Sequence, residues 1–252
     1  MKRVRYQSID GVHWGEVEHD VVWQLTGMVG RRSGLRTPLP DVTLLAPCEP
    51  RMIVCVGKNY LGHVREMGGA GAARPQEPGI FLKGVNTLIG PGDPIPYPAW
   101  SEELHYEGEL AVVIARRLSR VSEEQALAYV LGFTCACDVT ARDKQRSDLQ
   151  WTRAKSADGF CPVGPWLETE LEPGELELRT YVNGELRQQG NTRDLIFGVP
   201  ALLSYVSSFM TLEAGDLVLT GTPEGVGPLV IGDEVEVAIS GIGSLENTVE
   251  VG

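Results

Sequence analysis

His105-Tyr-Glu-Gly-Glu-Leu-Ala-Val-Val-Ile-Ala115 carries two carboxylates straight into an unbroken apolar run. A run of this kind, with Val-Val-Ile at its centre, reads as a buried strand. Residues two apart in a strand point to the same face. Glu107 and Glu109 therefore aim at one spot. Like charges held together are costly unless a cation or a proton sits between them. Gly108 adds no side chain and leaves room for a close neighbour. This strand end is read as part of a divalent-metal site.

Outward from it, the chain is a succession of short strands with few helices. Strands are expected over 52–56, 79–83, 132–138 and 216–220, with a final hairpin over 233–239 and 245–251. Asn183-Gly184 lies between two further strands and is a type I′ turn signal. The pattern predicts a mainly β (α+β) protein with a closed or rolled sheet, not a doubly wound α/β fold. Helices are expected after Asn59 as N-cap, over 121–129 with Ser122 and Gln125 as a capping box, from about 140–143, and over 199–208. Residues 1–46 read as a small β-rich region with a turn at Asp10-Gly11, ahead of one domain over 47–252. Residues 151–165 read as an irregular loop.

Four further features bear on chemistry. Asp138 ends an apolar strand before a helix, as an N-cap or as a third carboxylate. Carboxylate oxygens without His or Cys suit hard cations: Mg²⁺, with Mn²⁺ or Ca²⁺ as alternatives. His63 and Glu66 are three apart and share a helix face. The pair is either a solvated surface pair or a base with its orienting carboxylate, beside a Gly/Ala/Pro-rich 68–78 segment suited to a lid. Lys155 stands among small residues, exposed or clamping an anion. The loop Gly221-Thr-Pro-Glu-Gly-Val-Gly227 offers backbone N–H groups to an anion but lacks the lysine of a phosphate-binding loop.

Composition narrows the class. The 252 residues carry a net charge of −12, which speaks against a nucleic-acid partner. No apolar run reaches the ~20 residues of a membrane helix, and no apolar segment follows the basic start, so neither a membrane nor a secretory signal is expected. Five cysteines without paired spacing suggest buried thiols in a reducing, cytoplasmic setting; Cys135 and Cys137 could alternatively be a soft-metal pair.

Taken together, six ordered blocks resemble the fumarylacetoacetate hydrolase superfamily over about 47–252. They are Cys55-Val-Gly-Lys-Asn-Tyr-Leu-Gly-His63 with Glu66; Tyr106-Glu-Gly-Glu-Leu-Ala111; Asp138-Val-Thr-Ala-Arg-Asp143; Lys155 with Asp158-Gly-Phe160 and Gly164-Pro165; Asn183-Gly184; and Thr220 to Gly227. The resemblance implies a mixed β-roll with a few short helices, a homodimer, and metal ligands at Glu107, Glu109 and Asp138. It implies a lid dyad of His63 and Glu66, a catalytic Lys155, and substrate contacts at Arg142, Gln145 and Thr222, with Tyr60 added to them. Its chemistry is that of a 2-oxo or 2-hydroxy-enoate dicarboxylic acid passing through an enolate. The chain looks like a small bacterial-type member, similar to the 2-hydroxyhepta-2,4-diene-1,7-dioate isomerase group of aromatic catabolism. Acylpyruvate- or fumarylacetoacetate-type C–C hydrolysis and 2-oxo acid decarboxylation are the alternatives. A non-catalytic metal-dependent binder of small acids is a more distant one. After Lys83 the chain has Gly84-Val-Asn-Thr87, not the family's common Pro- and Ser-rich segment, which leaves substrate preference open.

Overall fold

In the computed structural model, which describes residues 1–252, the strand Gly108–Ile114 is buried along its whole length. It lies between Val130–Cys137 and Leu217–Leu219 in a twelve-stranded sheet. Period-two alternation sends Leu110, Val112 and Ile114 into the main core, while Ala111 and Val113 enter a second, smaller one. Burial on both faces is why this strand is apolar at every position instead of alternating.

The main core is closed on its far side by a five-stranded sheet built from Glu185–Asn191, Glu177–Val182, Glu234–Ile239, Gly243–Val251 and Ile95–Tyr97. This is the expected rolled β architecture. Gly108 is needed for that closure. A Cβ there would collide with the Thr180 hydroxyl on the second sheet, so the room beside Gly108 is filled by packing, not by a ligand. A small third sheet pairs Leu104–Tyr106 with Thr140–Ala141 and Gly227–Leu229.

Residues 1–46 are not set apart from this frame. Lys2–Ser8, Gly11–Glu18, Val21–Leu25 and Arg32–Pro38 form an antiparallel meander, and its first strand pairs with Cys161–Glu168 of the large sheet. The first hairpin turns at Ile9-Asp10, one residue earlier than expected, because Ser8 pairs with Gly11. Asn183 and Gly184, at φ 52° and 76°, make the expected type I′ turn.

Several helix expectations need correction. The 121–129 helix is helical only over Glu123–Ala126, tightens into a 3₁₀ turn at Leu127–Tyr129, and has no side-chain cap at Ser122. Val130 must already enter the sheet opposite Ile114, which cuts the helix short. Asn59 is not an N-cap; Tyr60 holds that position before Leu61–Gly68. The 151–165 segment contains the helical turn Thr152–Lys155 and the start of the strand Cys161–Glu168. The long helix Val199–Phe209 packs its apolar face on the core as expected. All five cysteines are buried and free, with Cys135 and Cys137 side by side in the main core. No helix is long and apolar enough to cross a membrane.

Candidate active site

Glu107 sits at the junction of Leu104–Tyr106 and Gly108–Ile114, and Glu109 follows on the same face. Asp138 leaves the neighbouring strand Val130–Cys137, and its N–H donates to the Glu107 carbonyl at 2.8 Å. The strand pairing therefore sets the third carboxylate beside the first two. Carboxylate oxygens of all three lie within 4.8 Å of one another. The residues are 4%, 2% and 1% exposed, so their charges must be answered locally.

Two of the three are answered by cations. Arg142 Nη2 donates to Glu107 at 2.6 Å, and Lys155 Nζ reaches Glu107 at 2.9 Å and Asp138 at 2.6 Å. Burial pushes Glu107 upward, but Lys155 and Arg142 outweigh it and hold this carboxyl well below the usual range. Burial alone would lower Lys155, yet Asp138 and Glu107 raise it above an ordinary lysine. Glu109 differs: its contact is the Gly221 N–H at 2.6 Å, and no cation pairs with it directly. Burial, then Asp138 and Glu107, push its carboxyl well above the usual range. A buried acidic set of hard oxygens with one uncompensated member fits a divalent cation.

Above the carboxylates stands the helix Leu61–Gly68, with His63 5% exposed. His63 Nδ1 lies 3.0 Å from Glu66 Oε2. A carboxylate only accepts, so Nδ1 carries a proton, and in the neutral ring Nε2 then presents a lone pair. Glu66 Oε1 in turn accepts from the Gly225 N–H at 2.9 Å. The N–H groups of the 221–227 loop thus do meet anions, but these are the chain's own Glu109 and Glu66. Gly221, at φ 102°, takes a left-handed turn that brings it against the Asn59 Cβ, where a side chain would clash.

One cavity of about 160 Å³ joins these groups, space for roughly ten water-sized groups and hence for a small acid. Glu107, Glu109, Asp138, His63, Arg142, Gln145, Lys155 and Thr222 all line it. Arg142 Nη1 donates to Gln145 at 2.6 Å. The Thr222 hydroxyl donates to the Gly108 carbonyl and accepts from Gln188. Glu66 stands behind His63 and Tyr60 lies elsewhere; neither lines the cavity. Tyr60 is 3% exposed and its hydroxyl finds no partner. It lines a different cavity, with Leu61 and Gly62, so the structure does not bring it together with the other expected substrate contacts.

Four residues that the sequence did not assign to the site support it. Lys83, at the end of Gly79–Lys83, donates to Asp138 at 2.6 Å and to the Val139 carbonyl at 3.1 Å. His105 accepts from Arg142 Nε at 3.4 Å and contacts Glu103 at 3.0 Å. Burial and then Arg142 lower its pKa, so it acts as a neutral brace. Its place two residues before Glu107, on the same strand face, was the available signal. Gln188 ties Gly108 to Thr222. Asn59 donates to the carbonyls of Phe197 and Thr220 and accepts from the Phe197 N–H. Lys83→Met should lower stability by about 3 kcal/mol, the cost of breaking a buried ion pair from one side; urea unfolding of the metal-free protein checks this.

A family profile described as fumarylacetoacetate (FAA) hydrolase C-terminal matches residues 52–250. The chain belongs to this family. An N-terminal profile described as Rv2993c-like matches residues 1–47. Among relatives of this fumarylacetoacetate hydrolase family chain is the mitochondrial oxaloacetate tautomerase FAHD1 of Bos taurus, 47% identical over 79% of this chain and 91% of that one. A 2-hydroxyhepta-2,4-diene-1,7-dioate isomerase from Mycobacterium marinum superposes with a TM-score of 0.91 at 44% identity, covering 100% of this chain and 98% of that one. The maleylpyruvate hydrolase of Sphingobium sp. SYK-6, in complex with manganese(II) and pyruvate, superposes with a TM-score of 0.83 at 31% identity and full coverage of both chains. The protein is therefore an enzyme of a family that includes isomerases, hydrolases and a tautomerase.

Proposed function

We propose that this enzyme acts on a 2-oxo or 2-hydroxy-enoate dicarboxylic acid by proton transfer next to a stabilised enolate, as an isomerase of the 2-hydroxyhepta-2,4-diene-1,7-dioate type. The observation that carries the proposal is that the three carboxylates, Lys155 and His63, itself paired with Glu66, line one cavity. Glu107, Glu109 and Asp138 are the residues to hold Mg²⁺, or Mn²⁺ or Ca²⁺ in its place. When bound, such a cation supplies Lewis acidity toward a substrate carboxylate and 2-oxygen.

The protein's own residues supply the rest. Three carboxylates face three buried cations, Lys83, Arg142 and Lys155. A divalent cation thus leaves the site two charges positive, matching a carboxylate plus an enolate oxygen. Lys155 holds fixed positive charge where the negative oxygen develops. Arg142 and Gln145 orient the substrate carboxylate, with Thr222 beside them. Three of the five Arg142 N–H groups are already used within the protein, which leaves two for a ligand. His63 Nε2 takes a proton from one substrate carbon and returns it at another, while Glu66 keeps Nδ1–H in place.

A second reading is C–C hydrolysis of an acylpyruvate. It is supported by the open lone pair of His63 Nε2, which suits water as well as carbon. Oxaloacetate chemistry is supported by the similarity to the tautomerase. The test is a panel of hydroxymuconate-type dienes, acylpyruvates and oxaloacetate with Mg²⁺ or Mn²⁺, followed by product mass. Isomerisation leaves mass unchanged and hydrolysis adds water across the products. Undiminished turnover of any substrate after chelation would refute the site assignment. Five buried free thiols support a cytoplasmic setting. Exposed Leu186 and Val230 support a homodimer, which sedimentation would test.

A further inference from the structure

Four cations line the cavity: Lys58, Arg142, Arg146 and Lys155. Arg142 and Lys155 are paired with the buried carboxylates, and Arg146 is held by Glu103. Lys58 alone among them has no carboxylate partner in the protein. In a chain of net charge −12, acidic side chains are plentiful, yet none neutralises this one.

Its placement is built. Lys58 has φ 59°, in the left-handed region that glycine or asparagine holds far more readily than lysine. The next residue, Asn59, is fully buried and fixed by three hydrogen bonds to Phe197 and Thr220. That anchor holds the turn, and the turn sets Lys58 on the exposed side of the cavity. The apolar residues Val56, Met67, Phe81 and Trp151 line the same cavity. Phe81 and Trp151 meet edge to face at 5.5 Å. The cavity therefore combines a floor of buried charged groups, apolar wall residues and an exposed cation at Lys58.

We infer that Lys58 is a specificity-determining residue, which selects substrates carrying a second carboxylate at the end remote from the 2-oxo acid group. This rests on the 2-oxo acid reading above and deepens it. The 2-oxo acid head occupies the floor, the carbon chain lies along Phe81 and Trp151, and the distal carboxylate meets the Lys58 ammonium. Because Lys58 is exposed, its attraction is screened by salt, whereas the apolar contacts are not.

The test uses a matched pair that the chemistry cannot cleave, 2-oxoadipate and 2-oxohexanoate, titrated calorimetrically into the Mn²⁺-loaded enzyme. The wild type should bind 2-oxoadipate about tenfold more tightly, a ratio worth ~1.4 kcal/mol, and the preference should shrink in 1 M salt, where the Debye length falls to about 3 Å. Lys58→Gly removes the cation and suits the left-handed backbone, so the fold is kept. It should erase the preference while leaving 2-oxohexanoate binding within about twofold, and Lys58→Arg should restore it. Equal binding of both acids by the wild type, or equal loss of both in Lys58→Gly, overturns the inference alone. Failure of both acids to bind the wild type overturns the 2-oxo acid reading and the inference with it.

Discussion

His63→Ala should reduce kcat by about 10²- to 10⁴-fold, the range for removal of a positioned general base, and leave substrate-analogue binding nearly unchanged. The imidazole reaches the protein through one hydrogen bond, Nδ1–H to Glu66. It makes none to Glu107, Glu109 or Asp138, so Mn²⁺ affinity should survive the substitution. Glu66→Gln should give a smaller loss in kcat, because an amide oxygen can still accept from Nδ1–H while its charge is gone. Rapid-mix turnover and Mn²⁺ titration on the same preparations read both quantities. If catalysis, ligand binding and metal affinity all fell together in His63→Ala, the histidine would be a packing residue and the base would have to be sought elsewhere.

What was readable in the sequence follows from how local each signal is. Glu107 and Glu109 were legible because strand alternation needs only two residues of context, and the buried strand is marked by its own composition. The Asn183-Gly184 turn was legible for the same reason, since the turn type is set by the two residues themselves. Asn59 shows the opposite case. By local rules it is a good N-cap, but its side chain is claimed by Phe197 and Thr220, both more than 130 residues away in sequence. Lys83 looks like any strand-end lysine until Asp138, 55 residues on, is folded against it. Tyr60 sits between two cavity-lining residues, Lys58 and His63, yet the turn into the helix directs it away. The family blocks named His63, Glu66 and Lys155 as candidates; the side-chain wiring around them depends on contacts distant in sequence.

Glu109→Gln should separate stability from function more cleanly than any other change at the site. Glu109 is the buried carboxylate that no cation answers, and burial with Asp138 and Glu107 raises its pKa. For an acid whose folded pKa is raised, the folded state binds more protons than the unfolded one. Stability is then lost as pH climbs from the unfolded value of about 4.3 toward the folded one. The metal-free wild type should show this loss, and the metal-free Gln variant should not. At neutral pH the variant should be more stable by about 1–2 kcal/mol, seen as a Tm higher by roughly 2–4 °C per kcal/mol. Glu107 has the reverse sign, its pKa lowered against burial by Lys155 and Arg142. Its contribution is lost only as pH falls below about 4.3, so the acid limb should persist in the variant. Metal binding in the wild type should displace the Glu109 proton, and affinity should rise with pH while that proton is bound. In the variant, affinity should fall on the order of 100-fold or more, since partners that only support ligands are worth 10–100-fold. Turnover should fall with it. Thermal melts in chelator across pH, paired with calorimetry in buffers of different ionisation enthalpy, measure both effects. A metal-free variant less stable than the wild type at neutral pH, with unchanged Mn²⁺ affinity, would mean that Glu109 is a structural carboxylate and that the cation lies elsewhere.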